Sequence, residues 1–139
     1  MRQVNDPELS FSKQILIYPS VDYTMTSDSM EENGQGYFLE KARIDWYFNN
    51  YFLNQEDRKQ ASPLYGPVNS DCPKTLIFIS GCDPLRDEGI SYAEKLEDAG
   101  VSVEMHKFDH MIHAFMNIED LVPKECKKLY QLMGQFIVK

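Results

Sequence analysis

The order of three strand-like and three helix-like segments is the sequence feature that most constrains the fold. Two continuous apolar runs and one alternating segment predict strands at Gln14–Tyr18, Thr75–Ser80 and Val101–Phe108. Apolar residues at helical spacing predict helices at Leu39–Leu53, Asp87–Ala99 and Pro123–Val138. Strands that alternate with helices are joined by crossovers, so this order predicts an α/β fold with three parallel strands and crossover helices.

The predicted sheet is incomplete at its first strand. Gln14–Tyr18 is apolar enough for a central strand, yet no preceding segment is predicted to cover its other edge. Val101–Phe108 alternates apolar and polar residues, with a solvated face, as a strand at the end of a sheet does. We therefore expect residues 1–139 to be a fragment of a single larger domain. Within it, residues 1–13 are expected to be a leader or an artificial start, and residues 20–36 a long loop.

Composition excludes several classes of partner. The formal net charge is −8, from 14 basic and 22 acidic residues, whereas nucleic acids and anionic membrane surfaces are bound through cationic surfaces. No apolar run reaches the roughly 20 residues of a membrane span, and the N-terminal sequence lacks the apolar core of a signal peptide. Cys72, Cys82 and Cys126 form no CxxC pair, which is typical of a reducing compartment, so we expect a cytoplasmic protein.

Polar residues follow the second and third predicted strands, where the functional residues of open α/β sheets collect. Asp83 follows Thr75–Ser80, and His113 follows Val101–Phe108. Because the carboxyl ends of neighbouring parallel strands meet at one edge, we expect these two side chains to come within hydrogen-bond contact. An acid and a histidine in this order form the acid–base half of a nucleophilic triad, in which the acid orients the imidazole and the imidazole moves the nucleophile's proton.

The local sequence leaves other interpretations of these residues open. Asp83 is also a preferred N-cap residue for the helix that follows, although Asp87 is the better cap candidate. Two further histidines compete with His113. His106 lies on the polar side of the third strand, where a solvated position is expected, and His110 precedes His113 by three residues in the same loop.

Three other features carry weaker functional signals. Cys82 lies beside Asp83, but no motif supports a nucleophilic thiol there. The histidines straddle a strand and a loop, so their spacing predicts no metal site. The helix at Leu39–Leu53 carries an aromatic stripe, which predicts core packing and leaves open a second role as one wall of an acyl pocket. The stripe consists of Tyr47, Phe48, Tyr51 and Phe52, with Trp46 beside it.

Four separated motifs occur in a defined order along the chain. They are QILIYP at Gln14–Pro19, ASPL at Ala61–Leu64, DPLRDEG at Asp83–Gly89 with its continuation through Tyr92–Leu96 and Ala99–Val101, and MIHAF at Met111–Phe115. Together they resemble the C-terminal signature of the hormone-sensitive-lipase-like esterases, a family of α/β-hydrolases. The resemblance extends from about Gln14 to the end of the chain, and it is specific because all four motifs keep the family's order.

The resemblance implies that Asp83 is the acid and His113 the base of an esterase triad. It further implies hydrolysis of short to medium acyl esters through an acyl-serine intermediate, without a metal or an organic cofactor. The family's Gly-Asp-Ser-Ala-Gly elbow and His-Gly-Gly loop do not occur in this sequence, so we expect the chain to be inactive alone. Two departures are that Ala114 stands where the family has glycine, and that Asp109–His110 replaces an acidic-Gly or Pro-Gly pair.

Two other functions fit the same segments. The first is a non-catalytic association module, in which the free edge of Gln14–Tyr18 pairs with another chain in a homo-oligomer or a strand-exchanged assembly. The second is a peptidase of the prolyl-oligopeptidase kind, which shares the architecture, although the DPLRDEG run at Asp83–Gly89 favours the esterase. On the esterase interpretation, the partner of the intact protein is a small acyl ester.

Overall fold

The computed structural model describes residues 11–138 and contains a three-stranded sheet in the order β1-β2-β3. The strands are β1 (Lys13–Ile17), β2 (Lys74–Cys82) and β3 (Val103–Ile112). Both neighbouring pairs run parallel. The predicted α/β fold with three parallel strands is therefore confirmed. The leader predicted over residues 1–13 lies mostly outside the described residues, and Lys13 already belongs to β1.

In the described part of the chain, five α-helices connect and cover the strands. They are α1 (Asp28–Glu32), α2 (Lys41–Tyr51), α3 (Arg58–Ala61), α4 (Arg86–Asp98) and α5 (Pro123–Val138). Two short 3-10 turns lie at Pro63–Tyr65, after α3, and at Phe115–Ile118, after β3. Helices α2, α4 and α5 lie where periodicity predicts them. Between residues 11 and 138, no helix combines the length and apolar character needed to cross a membrane.

The loop predicted over residues 20–36 is wrong in its second half, because it contains α1. This helix has only five residues, so its own hydrogen bonds contribute little and packing holds it in place. Met30 is fully buried in a small cluster with Ile44 of α2 and Leu85. A single apolar residue in a polar stretch gives no periodic signal, which is why the sequence does not reveal the helix.

Strand β2 forms the centre of the core because both of its faces are covered. On one face, Leu76 and Phe78 pack in a cluster with Phe108 and with α5. On the other face, Ile77 and Ile79 pack against α4. The continuous apolar run of β2 follows from this burial on both sides, since every second residue faces a different helix layer. The sheet edge at the C-terminal ends of the strands is thereby held between α4 and α5.

The solvated face predicted for the third strand is confirmed only at Ser102, which is exposed. The alternation is present, but the side expected to be polar carries Phe108, which is 6% exposed. On the same side, the ring of His106 stacks on Phe78 with centroids 5.9 Å apart, and its side chain is only 28% exposed. The physical reason is that α5 covers this side of the sheet through the cluster that contains Phe108. His106 is therefore half-buried rather than solvated.

The core packing predicted for the aromatic stripe of α2 is confirmed only in part. Phe48 is half-buried and packs with the cluster around Ile44. In contrast, Trp46, Tyr47 and Tyr51 are 60%, 51% and 75% exposed, so the core prediction is wrong for Tyr47 and Tyr51. Helical spacing places residues on one stripe, but it does not show how much of that stripe another element covers.

Candidate active site

The residues that follow β2 and β3 bring the predicted acid and histidine together. Asp83 directly follows Cys82, the last residue of β2, and His113 directly follows Ile112, the last residue of β3. Asp83 Oδ2 and His113 Nδ1 lie 2.8 Å apart. An ionised carboxylate only accepts hydrogen bonds, so Nδ1–H donates to it and Nε2 is left able to accept a proton. The contact expected from the strand-end argument is present.

Both oxygens of Asp83 are engaged, and its side chain is 1% exposed. While Oδ2 meets the histidine, Oδ1 accepts the backbone N–H of Leu85 at 2.9 Å, and the backbone carbonyl accepts the N–H of Arg86 at 3.1 Å. These bonds stabilise the turn that leads into α4, but the N-cap prediction for Asp83 is wrong, because the N-cap residue is Leu85 and no side chain caps the helix. The cap prediction for Asp87 is wrong. Its carboxylate instead accepts the backbone N–H of Ser29 at 2.8 Å and the Nε–H of Arg86 at 2.7 Å.

The residue after the histidine adopts a conformation that favours glycine. Ala114 has φ 58° and ψ 29°, in the left-handed region, and the 3-10 turn Phe115–Ile118 starts immediately after it. This conformation gives a physical reason for the glycine expected at this position, since glycine adopts it without strain, and Ala114 is strained there. The turn directs the chain away from the sheet edge and leaves the His113 side chain 21% exposed beside the buried Asp83.

The ends of β2 and β3 approach each other most closely at Gly81. A Cβ atom at this position would lie 2.1 Å from the backbone oxygen of Asp109. The pairing of the strands shifts register at the same place, between Ser80 and Cys82. The absence of a side chain at Gly81 therefore allows the two strand ends, and the Asp83 and His113 side chains that follow them, to come together.

Tyr18 lies against the other side of the histidine, although sequence reasoning treated it only as the end of a strand. The centroids of the Tyr18 and His113 rings are 5.1 Å apart with an interplanar angle of 60°. Tyr18 also meets Phe115 edge to face, with centroids 5.7 Å apart. Its backbone has φ 38°, which is unusual for a bulky residue. An aromatic residue before proline at the carboxyl end of a strand, as Tyr18–Pro19 is, is the sequence signal that could have suggested this position.

The competing side chains lie elsewhere. His110 is exposed, and the Nε2–H of His106 donates a 2.8 Å hydrogen bond to Glu104 Oε1. Of the three histidines, His113 is the one bonded to Asp83. Cys82 Sγ lies 3.7 Å from the backbone oxygen of Asp109, so its closest polar partner is the neighbouring strand. In residues 11–138, no three His, Cys, Asp or Glu side chains are grouped to hold a metal ion.

Glu88 is a further buried acid at this edge of the sheet that sequence reasoning missed. It is 2% exposed, and its Oε1 accepts the backbone N–H groups of Val21 at 2.7 Å and Asp22 at 3.1 Å. Burial raises the pKa of the Glu88 carboxyl to about 8. Because Val21 and Asp22 follow β1, Glu88 ties that loop to α4. A glutamate in the first turn of a helix is normally solvated, so the sequence carries no signal for its burial.

A parallel α/β sheet whose neighbouring strand ends carry a hydrogen-bonded acid and histidine has the architecture of the α/β-hydrolases. Comparison with known proteins supports the same class. The profile of the alpha/beta hydrolase fold family matches residues 1–117. The chain belongs to this family, and its resemblance to the hormone-sensitive-lipase-like esterases is confirmed.

Curated relatives with similar sequences include several carboxylic ester hydrolases. The chain is 36% identical to the ethyl acetate hydrolase of Pseudomonas putida over 111 residues, which are 78% of this chain and 35% of that protein. It is 38% identical to the carboxylic ester hydrolase LipN of Mycobacterium tuberculosis over 112 residues, or 78% of this chain and 30% of that protein. The chain thus spans about a third of the length of the curated relatives it matches.

Solved structures of esterases share the fold of the chain. An ester hydrolase from the metagenome of Lake Arreo superposes with a TM-score of 0.83 at 31% identity, covering 92% of this chain and 42% of that one. The hyperthermophilic esterase of the archaeon Pyrobaculum calidifontis superposes with a TM-score of 0.81 at 28% identity, covering 88% and 42%. The similarity therefore includes most of the elements described above.

Proposed function

We propose that this chain provides the acid and the histidine of a carboxylic ester hydrolase that acts on short to medium acyl esters. The observation that carries the proposal is the 2.8 Å hydrogen bond between Asp83 Oδ2 and His113 Nδ1 at the carboxyl edge of the sheet. The carboxylic ester hydrolases among its relatives support the class of reaction. The DPLRDEG run at Asp83–Gly89 favours an esterase over a peptidase of similar architecture.

In the proposed reaction, a serine hydroxyl supplied by the intact enzyme attacks the acyl carbonyl of the ester. His113 Nε2 takes the hydroxyl proton as the Oγ–C bond forms, and it returns that proton to the alkoxide as the ester C–O bond breaks. Water then attacks the acyl-serine, and His113 repeats the transfer in the same order. Asp83 holds Nδ1–H and stabilises the imidazolium that forms in each step.

The chain alone is proposed to be inactive because its 139 residues contain neither a Gly-x-Ser-x-Gly sequence nor a His-Gly-Gly loop. An imidazole held by a carboxylate cannot form the acyl intermediate without a nucleophile. Purified chain should therefore release p-nitrophenol from p-nitrophenyl butyrate no faster than the His113→Ala variant does. Hydrolysis by the purified chain that depends on His113 would contradict this part of the proposal.

A chimera tests the proposed residue roles. This chain would replace the matching 111-residue segment of the Pseudomonas putida ethyl acetate hydrolase, so that the rest of that protein surrounds it. We expect ester hydrolysis, with kcat reduced by about 10⁶-fold in His113→Ala and by about 10⁴-fold in Asp83→Asn. His110→Ala is the matched control, because His110 lies in the same segment and is exposed. Equal losses in the His110 and His113 variants would refute the assignment.

The second candidate function is association through β1. Within the described residues, β1 pairs with β2 on one side only. Its other edge presents unpaired backbone groups that can template a strand from a second copy of the chain. This assembly would involve Gln14–Tyr18, and it requires no catalytic chemistry.

A further inference from the structure

Tyr18 lies beside the four residues that follow β3. Its ring lies 5.1 Å from the His113 ring and 5.7 Å from the Phe115 ring, measured between centroids. Tyr18 and Met116 also pack against the same hydrophobic cluster, which contains Phe115. The remaining residue of the four, Ala114, is the one in the left-handed conformation. A single side chain from the end of β1 therefore braces the turn that carries the histidine.

The backbone of Tyr18 is held in a conformation that an aromatic residue rarely adopts. Its N–H continues the β1–β2 ladder by donating to the carbonyl of Phe78 at 2.8 Å, while its φ is 38°. Pro19 follows and restricts the conformations open to Tyr18. Strain of this kind persists where the surrounding structure enforces it, and it concentrates at functional sites. Here the strained residue lies at the same sheet edge as Asp83 and His113.

We propose that Tyr18 is a positioning residue for His113: its ring packs against the imidazole and helps to hold Nδ1 on Asp83. The importance of this contact for catalysis rests on the proposed function. Asp83 fixes the imidazole at a single atom, and one hydrogen bond leaves the imidazole free to swing about that atom. The Tyr18 ring opposes this swing, because it lies 5.1 Å from the imidazole at a tilt of 60° and is itself packed edge to face against Phe115.

The test measures, by nuclear magnetic resonance on the chain itself, the rate at which the Nδ1–H proton of His113 exchanges with water. An aromatic pair contributes about 0.5–1.5 kcal/mol beyond its buried area, which corresponds to about a 2- to 12-fold change in the opening equilibrium of the Asp83 contact. Tyr18→Leu should therefore speed exchange of this proton with water by about that factor. Tyr18→Phe keeps the ring and should restore slow exchange. Tyr18→Met serves if the leucine variant does not fold, since methionine fills irregular space.

Tyr23→Leu is the matched control. Tyr23 is half-buried like Tyr18, but it packs against Phe48 and Phe52 and not against the histidine. Removal of the Tyr23 ring should leave the exchange rate of the His113 Nδ1–H proton unchanged, even if the substitution lowers the stability of the chain. Unchanged exchange in folded Tyr18→Leu or Tyr18→Met would overturn the proposal. Exchange in Tyr18→Phe as fast as in Tyr18→Leu would also overturn it, because the hydroxyl rather than the ring would then be responsible.

The readout separates this inference from the proposed function. Exchange of the Nδ1–H proton requires no ester turnover, so slow exchange that depends on the Tyr18 ring supports the positioning role even if the chimera fails to hydrolyse esters. In a hydrolysing chimera, Tyr18→Leu should lower kcat and leave KM nearly unchanged, because Tyr18 acts on the histidine. A change in KM alone would place Tyr18 in substrate binding and contradict the positioning role.

Discussion

Ala114 carries backbone strain in the turn that holds the histidine. A non-glycine residue at φ 58° costs roughly 1–2 kcal/mol in the folded state. Glycine avoids this cost, but its larger conformational freedom in the unfolded chain offsets part of the gain in stability. Ala114→Gly should therefore raise the free energy of unfolding by about 0.5–1 kcal/mol in urea denaturation. Ala99→Gly is the control. Ala99 has φ −82°, so this substitution should lower stability by about 0.4–1 kcal/mol. A loss of stability in Ala114→Gly would show that the turn is not strained.

Glu88 makes the stability of the chain depend on pH. Burial raises its pKa from 4.5 to about 8 in the folded state. Between these values the unfolded chain has released the proton and the folded chain retains it, so this group lowers stability as the pH rises, by at most about 1.4 kcal/mol per pH unit. Its favourable contribution is complete below pH 4.5 and is lost above pH 8.

Glu88→Gln should remove this slope, because the amide does not titrate and its oxygen can still accept the N–H groups of Val21 and Asp22. The measurement is the free energy of unfolding of both proteins from pH 5 to pH 8.5. The variant should gain stability relative to the parent as the pH rises. If the free energies of unfolding of the parent and the variant changed with pH in parallel, burial would not raise the pKa of Glu88 in the folded chain.

Single residues also show where sequence reasoning succeeds. Asp83 and His113 could be predicted to meet because each directly follows a recognisable strand, and parallel strands end at one edge. Glu88 and Tyr18 could not be assigned, because their environment is made by segments distant in sequence: the loop after β1 for Glu88, and the turn after β3 for Tyr18. The neighbours of Glu88 in the chain carry no signal for its contact, and Pro19 after Tyr18 marks the end of the strand without indicating its partner.

At the scale of elements, Gly81 controls how closely β2 and β3 converge. A methyl group at Gly81 would meet the backbone of Asp109, which cannot move without displacing the strand. Gly81→Ala should therefore destabilise the chain by about 1–3 kcal/mol and weaken the contact between Asp83 and His113. Gly134→Ala in α5 is the control, since a Cβ there meets nothing within 4 Å. It should stabilise the chain by about 0.5–1 kcal/mol. Circular dichroism melts of both variants test the contrast.

The elements differ in how well their burial could be predicted. The continuous apolar run of β2 indicated a strand covered on both faces, and the structure has helices on both sides. The alternation of β3 was interpreted as one solvated face, but α5 packs on that side and buries Phe108. Periodicity defines the faces of an element, whereas the partner that covers each face depends on the arrangement of the whole chain.

At the scale of the whole molecule, the edge of β1 that has no partner strand within residues 11–138 predicts self-association. The Tyr18 N–H points to β2, so by alternation along the strand the N–H of Ile15 points away from it. If copies pair through this edge, light scattering after size exclusion should show a mass above 16.2 kDa that rises with protein concentration. Ile15→Pro removes a donor from the free edge and should return the chain to monomer. A monomer at all concentrations would exclude strand pairing.

The Asp83 carboxylate links the start of α4 to the orientation of His113. Its Oδ1 accepts the backbone N–H of Leu85, and its Oδ2 accepts the Nδ1–H of His113. If the proposed catalysis were lost in a descendant of this sequence, the carboxylate would still stabilise the turn that leads into α4. The aspartate should therefore persist in inactive copies of the fold, while His113 is free to change. When new sequences of this kind are searched for working enzymes, the histidine is the more informative position of the two.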